Sequence, residues 1–156
     1  MRPRCSGVGP ERIRQTGPMD PCPFCRIIAG DAPASWVERE EHAVAFAPLP
    51  ESLLAPGHTL VAPVEHTDDL WRAGPVALSA TFALAQRVAR AMRGALGATG
   101  TVLLQASGAD AGQSVRHLHV HVVPCWSDDG TVHWPERPSA HVVDGDPYAA
   151  LAAMFD

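Results

Sequence analysis

The sequence predicts one α+β domain with a five-stranded, mainly antiparallel sheet, one long helix and one short helix. The chain has 156 residues, of which 46% are hydrophobic and 19% charged, the profile of one compact domain rather than two. After the short helix, strand and helix patterns follow the order β-β-β-α-β-β, and no internal repeat is present. That order is typical of an antiparallel sheet covered by helices, an α+β fold.

The first elements are a short helix and a strand hairpin. The segment Cys22–Ala29 is compatible with a short helix that Gly30 ends. Two short runs of β-forming residues follow at Trp36–Glu38 and Ala43–Phe46, and the polar turn Arg39–His42 separates them. We therefore expect these two strands to form a hairpin.

The remaining strands surround the long helix. The run His58–Pro63 is short, apolar and bounded by turn residues, as a buried strand is. The segment Pro75–Leu96 has Pro in its first turn, apolar residues at helical spacing and Gly97 just beyond its end, all typical of a helix. Strands at Thr101–Gln105 and Leu118–Pro124 flank a loop rich in Gly, Ala and Ser.

The charge balance argues against two classes of partner. The chain carries 12 basic and 17 acidic residues, a net charge of −5. Polymeric nucleic acid and anionic membrane surfaces both bind cationic protein surfaces, so we expect neither as a partner, whereas a single nucleotide remains open as a ligand. No stretch approaches the roughly 20 apolar residues that a spanning helix needs.

The N-terminal residues show no apolar periodicity. Residues 1–18 are rich in Arg, Gly and Pro, so they cannot offset the entropy of ordering. We expect a disordered tail there and a single domain over residues 19–156, with translation starting at Met1 or at Met19. The first residues lack the apolar core of a signal peptide, and four cysteines without an export signal favour reduced thiols or metal ligands. This predicts a cytoplasmic protein.

Three of the eight histidines fall within five residues. His117, His119 and His121 alternate with aliphatic residues, and the strand period of two puts the three imidazoles on one face, roughly 6.6 Å apart along the strand. Such spacing suits a nucleophile with flanking helpers, or a metal ion. Three unrelated surface histidines on a half-buried strand are the alternative.

A loop of small residues leads directly into these histidines. Its backbone N–H groups, with the side chains of Gln113 and Ser114 next to Gly112, could cradle an anion without any lysine. An ordinary connection between two strands has the same composition. An anion that faces an imidazole indicates phosphorus chemistry.

The segment Gly112–Pro124, GQSVRHLHVHVVP, resembles the signature of the histidine-triad (HIT) superfamily of nucleotidyl hydrolases and transferases. The resemblance covers roughly Asp20–Trp134. The CxxC pair Cys22 and Cys25 makes the chain similar to bacterial Hint-like and Fhit-like members. It implies the HIT-like fold and a homodimer. The residues His133–Pro135 resemble the C-terminal segment of the Hint-type branch.

The resemblance also implies roles for individual residues. His119, the middle histidine, would attack the α-phosphorus of a nucleotide conjugate and form a covalent nucleotidyl-imidazole that water hydrolyses. His121 would bind the phosphate or hold charge, and His58 would assist from the central strand, a packed core histidine being the other interpretation of that position. The residues implied in substrate binding are Gly112, Gln113, Ser114 and His121.

A second set of residues suits a metal ion. Cys22 and Cys25 form a CxxC at the start of a helix, where two thiolates can clasp one ion, although a redox-active or incidental pair has the same motif. The resemblance implies that His66 and His117 complete the set. Two thiolates and two imidazoles suit tetrahedral zinc without an open position, so we expect one structural zinc per chain.

Two positions depart from the family pattern. Residues Ala47–Pro50 follow Phe46 and offer no carboxylate for the ribose hydroxyls, with Glu51 as a candidate substitute. Ala106 stands where relatives often carry Asn. Both departures affect substrate recognition rather than the histidines themselves.

The resulting hypothesis is a dimeric, zinc-stabilised hydrolase that binds a purine nucleotide or nucleotide conjugate. It would cleave a phosphoramidate or phosphoanhydride bond at the nucleoside α-phosphate. A dinucleoside polyphosphate hydrolase and a nucleotidyltransferase are alternatives within the same class. A catalytically weak nucleotide-binding family member is a second class, and a metallohydrolase whose three histidines bind a catalytic metal is a third.

Overall fold

The computed structural model describes residues 22–155, in which helices cover both faces of one five-stranded sheet. In chain order the elements are α1 (Pro23–Ala29), β1 (Trp36–Arg39), β2 (Ala43–Phe46), β3 (Thr59–Pro63), α2 (Pro75–Leu96), β4 (Gly100–Leu104), β5 (Val120–Cys125) and α3 (Pro147–Ala152). Single 3₁₀ turns occupy Pro50–Ser52 and Ala109–Ala111. The expected tail, residues 1–18, and the expected domain start at residue 19 lie outside the described residues.

The strands pair in the order β1-β2-β3-β5-β4, and each neighbouring pair is antiparallel. Phe46, Leu60, His121 and Leu104 lie opposite one another across four strands. Residues that lie opposite one another share a face of the sheet, so His121 faces the same side as Phe46. The predicted α+β architecture with a five-stranded antiparallel sheet is confirmed.

The two faces of the sheet carry different helices. On one face, Leu84 and Val88 of α2 pack with Val61 and Val122 in an apolar core. On the other face, Phe24 of α1 packs in a second core that includes the aromatic and aliphatic residues of β2 and β3. The row that contains His121 therefore lies under α1, not under α2.

The sequence of α2 explains its bounds. Pro75 occupies the first turn, where its missing N–H costs no hydrogen bond, and Gly97 ends the helix with φ +65°, a left-handed conformation that suits glycine. The buried positions recur at helical spacing: Ala77, Thr81, Leu84, Ala85, Val88 and Met92. Among residues 22–155, no helix combines the length and the apolar character needed to cross a membrane.

Most element ends agree with the prediction within one residue, but β5 starts later. It begins at Val120, two residues after the predicted start at Leu118. The Leu118 N–H donates to the carbonyl oxygen of Thr67 at 2.7 Å instead of pairing with a neighbouring strand. His117 and His119 consequently precede the paired part of the strand.

The sequence prediction did not include α3. This helix has six residues, and the side chain of Asp146 caps it by accepting a hydrogen bond from the Tyr148 N–H at 2.9 Å. Asp before Pro is a start signal for a helix, so the cap was readable from the sequence although the segment is short.

Candidate active site and metal centre

Three histidines of the predicted catalytic set lie together on the α1 face of the sheet. His121 belongs to β5, His119 immediately precedes β5, and His58 immediately precedes β3. The ring centroids of His119 and His121 are 5.1 Å apart, and His121 stacks on His58 at the same centroid distance. The structure thus brings His58, which is distant in sequence, next to the histidine strand.

A backbone carbonyl fixes the tautomer of His119. Its Nδ1 lies 2.7 Å from the carbonyl oxygen of His117; because a carbonyl can only accept, Nδ1 carries the proton and Nε2 keeps the lone pair. Burial lowers the pKa of His119, whose exposed fraction is 7%, and the hydrogen bond to His117 partly offsets this effect. Near neutral pH the ring is therefore uncharged, with Nε2 as its basic nitrogen.

A chain of hydrogen bonds fixes the tautomers of His58 and His121. The Leu54 N–H donates to Nδ1 of His58 at 3.2 Å, so the neutral ring of His58 carries its proton on Nε2. That Nε2–H lies 2.9 Å from Nδ1 of His121 and donates to it. In the neutral ring of His121 the proton consequently resides on Nε2, which makes this nitrogen a hydrogen-bond donor.

Burial also keeps these two histidines neutral. Burial lowers the pKa of His58. The pKa of His121 falls to about 4, first because of burial and then because of the neighbouring His119 and His58. A second proton on His121 would also place two N–H groups face to face across the 2.9 Å contact with His58.

The predicted metal ligands form a compact cluster. One ligand atom from each of Cys22, Cys25, His66 and His117 lies within 4.8 Å of every other. The thiol of Cys25 is 3.2 Å from Nδ1 of His66 and 3.6 Å from Nδ1 of His117, and the thiol of Cys22 is 3.5 Å from Nδ1 of His117. Four ligands of a tetrahedral zinc would stand about 3.5 Å apart, given typical zinc–sulfur and zinc–nitrogen distances.

The two histidines of this cluster are oriented through their other ring nitrogens. Nε2 of His117 donates to the carbonyl oxygen of Pro63 at 2.9 Å, and Nε2 of His66 donates to the carboxylate of Asp68 at 3.1 Å. Both Nδ1 atoms are thereby left with lone pairs that face the thiols. Arg116 in turn holds Asp68 at 2.8 Å. Such outer partners are characteristic of metal-ligating histidines, so the residues fit a zinc ion.

The thiols also need a cation for their charged form. Burial and the neighbouring Cys22 raise the pKa of Cys25 to about 11. A zinc ion binds thiolates and releases their protons. The metal would therefore supply the positive charge that this pair of thiols lacks.

The small-residue loop is held by Gln113. Its Oε1 accepts from the Gly108 N–H at 2.8 Å, and its Nε2 donates to the carbonyl oxygens of Asp68 at 2.6 Å and Val115 at 3.0 Å. Both amide protons of Gln113 are thus engaged by the protein's own backbone. This geometry fits a residue that shapes the loop, and the predicted contact of Gln113 with phosphate stays a prediction.

The other predicted substrate-binding residues lie at the surface. Ser114 and Gly112 are exposed, and Gly112 has φ +83° at the end of a 3₁₀ turn. Glu51, the candidate substitute for the ribose contact, lies in the exposed turn Pro50–Ser52. Their contacts with a nucleotide stay predictions.

Two contacts at the site were absent from the sequence prediction. The Leu54 N–H, which sets the tautomer of His58, belongs to a loop whose backbone direction has no sequence signal. Phe24 lies against the rings of His117 and His119 at centroid distances of 5.8 and 5.1 Å. In the sequence, the only indication that Phe24 lies at the site was its position between the two cysteines of the CxxC.

An antiparallel α+β fold in which three alternating histidines lead into one strand is typical of the histidine-triad class of protein. The model of the HIT domain family matches residues 29–127, and the chain belongs to this family.

Relatives and solved structures agree with this assignment. The chain is 39% identical over 103 residues to "Protein hit" of Bacillus subtilis, covering 66% of this chain and 70% of that protein. It is 42% identical over 104 residues to an uncharacterized HIT-like protein of Mycobacterium tuberculosis, covering 67% of this chain and 71% of the relative.

Two crystal structures give the same result in three dimensions. A Zn-bound histidine triad family protein from Mycobacterium smegmatis superposes with a TM-score of 0.67 at 38% identity, covering 70% of this chain and 78% of that chain. A HIT family protein from Bacillus subtilis superposes with a TM-score of 0.70 at 32% identity, covering 87% and 95%. Membership of the family supports a nucleotide-binding, hydrolase-type protein.

Proposed function

We propose that this protein hydrolyses nucleotide conjugates, cleaving a phosphoramidate or phosphoanhydride bond at the nucleoside α-phosphate through a covalent nucleotidyl-histidine on His119. The 2.7 Å hydrogen bond from Nδ1 of His119 to the carbonyl oxygen of His117 carries the proposal. It leaves Nε2 unprotonated, and a neutral imidazole with a free lone pair is a competent nucleophile near neutral pH.

In the first step, Nε2 of His119 attacks the α-phosphorus. The bond between phosphorus and the leaving group breaks, and the leaving group takes the electron pair of that bond and a proton from solvent. The phosphorylated ring then carries a positive charge, so its Nδ1–H···O bond to the carbonyl of His117 becomes charge-assisted and stronger. The carbonyl thereby stabilises the covalent intermediate more than the free enzyme.

In the second step, water attacks the phosphorus and loses a proton to solvent. The phosphorus–Nε2 bond breaks, its electron pair returns to Nε2, and the nucleoside monophosphate leaves. His119 is then neutral again, as it was before the reaction.

His121 stabilises the phosphoryl group in both steps. Its Nε2–H is available to donate to a phosphoryl oxygen because His58 donates to its Nδ1. A donor that is fixed before the reaction needs no reorganisation when charge develops on that oxygen. His58 acts through His121 and keeps it in the productive tautomer.

The metal centre has a structural role in this proposal. Cys22, Cys25, His66 and His117 would hold one zinc ion, which when bound supplies positive charge to the thiolates and closes a four-ligand site without an open position. Because the ligands come from α1, the segment after β3 and the segment before β5, the site joins α1 to the histidine strand. His117 is therefore a ligand and not a member of the catalytic set.

A substrate of the purine nucleotide class is compatible with an acidic chain, since a small anion needs only local donors. A dinucleoside polyphosphate hydrolase or a nucleotidyltransferase would use the same histidines. One observation favours a weakly catalytic nucleotide-binding protein as the second candidate: Gln113 donates both amide protons to backbone carbonyls, so neither is free for a phosphoryl oxygen.

The thiol ligands require a reducing environment, so we place the protein in the cytoplasm.

We infer a homodimer from the two sheet edges. The β1 edge carries Glu38 and Arg39, charged residues that oppose edge pairing. The β4 edge, Gly100–Leu104, has no charged residue, and Leu103 is 47% exposed. Arg87 pairs with β1 residue Glu38 at 3.6 Å, so the opposite flank of α2, which bears the exposed Phe82, lies on the β4 side.

This surface predicts pairing of two β4 edges. Sedimentation equilibrium should give a dimer for the native protein. Leu103→Lys should give a monomer, and Leu49→Lys, the same change at a more exposed leucine outside this surface, should leave the dimer intact. A monomeric native protein would contradict the inference.

Acid-quench trapping tests the proposed activity. The purified protein is mixed with a labelled adenosine phosphoramidate, quenched in acid, and analysed by intact mass and peptide mapping. We expect an adenylyl group on His119 that is absent in His119→Ala. If neither an adduct nor a product forms with adenosine, guanosine or dinucleotide substrates, the nucleotide-binding alternative becomes the better conclusion.

A further inference from the structure

Phe24 lies between the metal cluster and the nucleophile. Its ring centroid is 5.1 Å from the ring of His119 with an interplanar angle of 80°, and 5.8 Å from the ring of His117. A third contact, to Phe46 at 5.3 Å and 84°, supports the ring from the β2 side. Phe24 is 7% exposed. Among the aromatic contacts of residues 22–155, Phe24 alone joins a proposed metal ligand to the proposed nucleophile.

The hydrogen bond at Nδ1 fixes only one atom of the His119 ring. The ring can still tilt about that hydrogen bond, and such a tilt would move Nε2, the attacking atom. Contacts on two sides limit this tilt: the nearly perpendicular ring of Phe24, and the ring of His121 at 5.1 Å with an angle of 56°. His121 is itself held by His58, so Phe24 supplies the restraint from α1.

The metal cluster adjoins Phe24 on both sides in the sequence. α1 has only seven residues, and a helix that short is not stable without tertiary contacts. Cys22 and Cys25 stand on either side of Phe24 in the sequence, and both contact His117. Closure of the cluster around an ion would therefore restrain the part of α1 from which the Phe24 ring projects.

We propose that Phe24 is a positioning residue for His119, and that the cluster of Cys22, Cys25, His66 and His117 influences turnover through it. The proposal rests on the proposed function, since it assumes His119 as the nucleophile. It assigns the cluster an effect on reaction rate in addition to its effect on folding. Phe24 acts on kcat because a small displacement of a nucleophile from its line of attack lowers the rate of the chemical step.

The test compares Phe24→Leu with Trp36→Leu. Both changes remove one aromatic ring that contacts Phe46, Phe24 within the apolar core and Trp36 partly buried against it. The other aromatic contact of Trp36 is with Arg39 rather than with a histidine. With an adenosine phosphoramidate substrate we expect Phe24→Leu to lower kcat about 10- to 100-fold, with KM within about twofold of the native value. Trp36→Leu should leave both constants nearly unchanged.

A measurement without substrate examines the ring itself. Long-range ¹H–¹⁵N spectra of the imidazoles report where the proton of each ring resides, and the His119 signals are identified by their loss in His119→Ala. The native protein should show a single Nδ1–H tautomer for His119. Phe24→Leu should keep this tautomer, because the His117 carbonyl is unchanged, but should show exchange broadening of the His119 signals as the ring tilts, and Trp36→Leu should show the native pattern.

Metal removal gives the third comparison. Treatment of the native protein with a chelator should change the His119 signals as Phe24→Leu does. The same treatment should cause a smaller change in Phe24→Leu than in the native protein, because only the link through the His117 backbone is left between the cluster and His119. The zinc content and the melting temperature of the native protein, Phe24→Leu and Trp36→Leu establish that each protein is folded and contains zinc before the chelator is added.

Three results would overturn the proposal. A rise in KM with an unchanged kcat would make Phe24 a substrate contact, and equal losses of kcat in both variants would reduce its role to stability. Unaltered His119 signals in Phe24→Leu would show that Phe24 does not position His119, whether or not the protein turns over a nucleotide. If the native protein turns over no nucleotide while the signals respond as expected, the proposed function fails and the link between cluster and His119 stands.

Discussion

His117 and His119 are two residues apart on the same segment, yet their rings present opposite nitrogens to their surroundings. His117 donates from Nε2 to the carbonyl of Pro63, which leaves Nδ1 free to face two thiols. His119 donates from Nδ1 to the carbonyl of His117, which leaves Nε2 free. The proposed metal end, at His117, and the proposed catalytic end, at His119, thus differ in the carbonyl to which each ring donates and in the nitrogen that stays free.

The difference shows that residue type and spacing do not by themselves assign a role to a histidine. Either ring could ligate a metal or attack phosphorus as a neutral imidazole. The outer hydrogen bond selects the available nitrogen, and the neighbours of that nitrogen select the chemistry. Variants at the two ends should therefore separate folding and metal binding from turnover.

The largest expected effect comes from the catalytic end. In His119→Asn, the amide N–H can replace Nδ1–H as donor to the His117 carbonyl, but no nucleophilic nitrogen remains. We expect kcat to fall by about 10³-fold or more, with unchanged zinc content and melting temperature. Steady-state turnover, elemental analysis and calorimetry check this, and native-like turnover would rule out His119 as nucleophile.

The metal end should respond in the opposite way. His117→Ala removes one ligand, so zinc content should fall from about one equivalent per chain to nearly none. The free energy of unfolding should fall by about 4 kcal/mol, the value for loss of a ligand present at roughly 1,000 times its Kd. A chelator should lower the melting temperature of the native protein and leave that of His117→Ala unchanged; equal responses would contradict the cluster.

A change of pH should affect the catalytic end through His121. The pKa of His121 is about 4 in the folded protein against 6.5 for an unperturbed histidine. The unfolded chain therefore binds more protons between these values, so stability is greatest above pH 6.5 and falls as the pH drops towards 4. The loss attributable to His121 is about 3 kcal/mol.

Neighbouring His58 and His119, whose pKa values are also lowered, add to this slope. The contribution of His121 is obtained by comparison with His121→Asn, in denaturant titrations over the same pH range. The variant should show the shallower dependence. Parallel curves for the two proteins would contradict the assigned tautomer and its buried neutral state.

A smaller effect is expected from His58, which acts through His121. His58→Leu removes the donor to Nδ1 of His121 and should lower kcat about 10- to 100-fold. His58→Gln keeps an amide donor and should retain most of the activity. A loss in His58→Gln as large as in His58→Leu would show that shape, rather than the donated hydrogen bond, is required.

The smallest effect should come from Gln113, which belongs to neither end. Gln113→Ala leaves the Gly108 N–H and the carbonyls of Asp68 and Val115 without this partner, which should lower the free energy of unfolding by about 1–2 kcal/mol. Because the loop adjoins the catalytic end, KM should rise a few-fold while zinc content is unchanged. Zinc loss in this variant would show that the loop supports the metal end instead.

Much of the fold was predictable because its signals are local. The strands around Ala43–Phe46 and His58–Pro63 and the helix Pro75–Leu96 carry apolar periodicity and bounding Gly or Pro residues, and the structure places all three within one residue of the prediction. The later start of β5 was not predictable. It follows from a hydrogen bond between Leu118 and Thr67, residues that are distant in sequence.

The candidate site was likewise predictable only in part. The clustering of Cys22 and Cys25 with His66 and His117 follows the family resemblance, and the structure brings the four together. The tautomers were beyond the sequence, since they depend on where carbonyls and the Leu54 N–H point in three dimensions. Phe24 was missed because an aromatic residue on a helix normally indicates only core packing.

His117 contributes to both ends through different parts of one residue. Its side chain is a proposed metal ligand, but its carbonyl oxygen, the acceptor for His119, belongs to the main chain. Every amino acid has that carbonyl. Over evolutionary time a lineage can therefore exchange the histidine at this position and lose the proposed zinc site, while the acceptor for the proposed nucleophile is inherited unchanged.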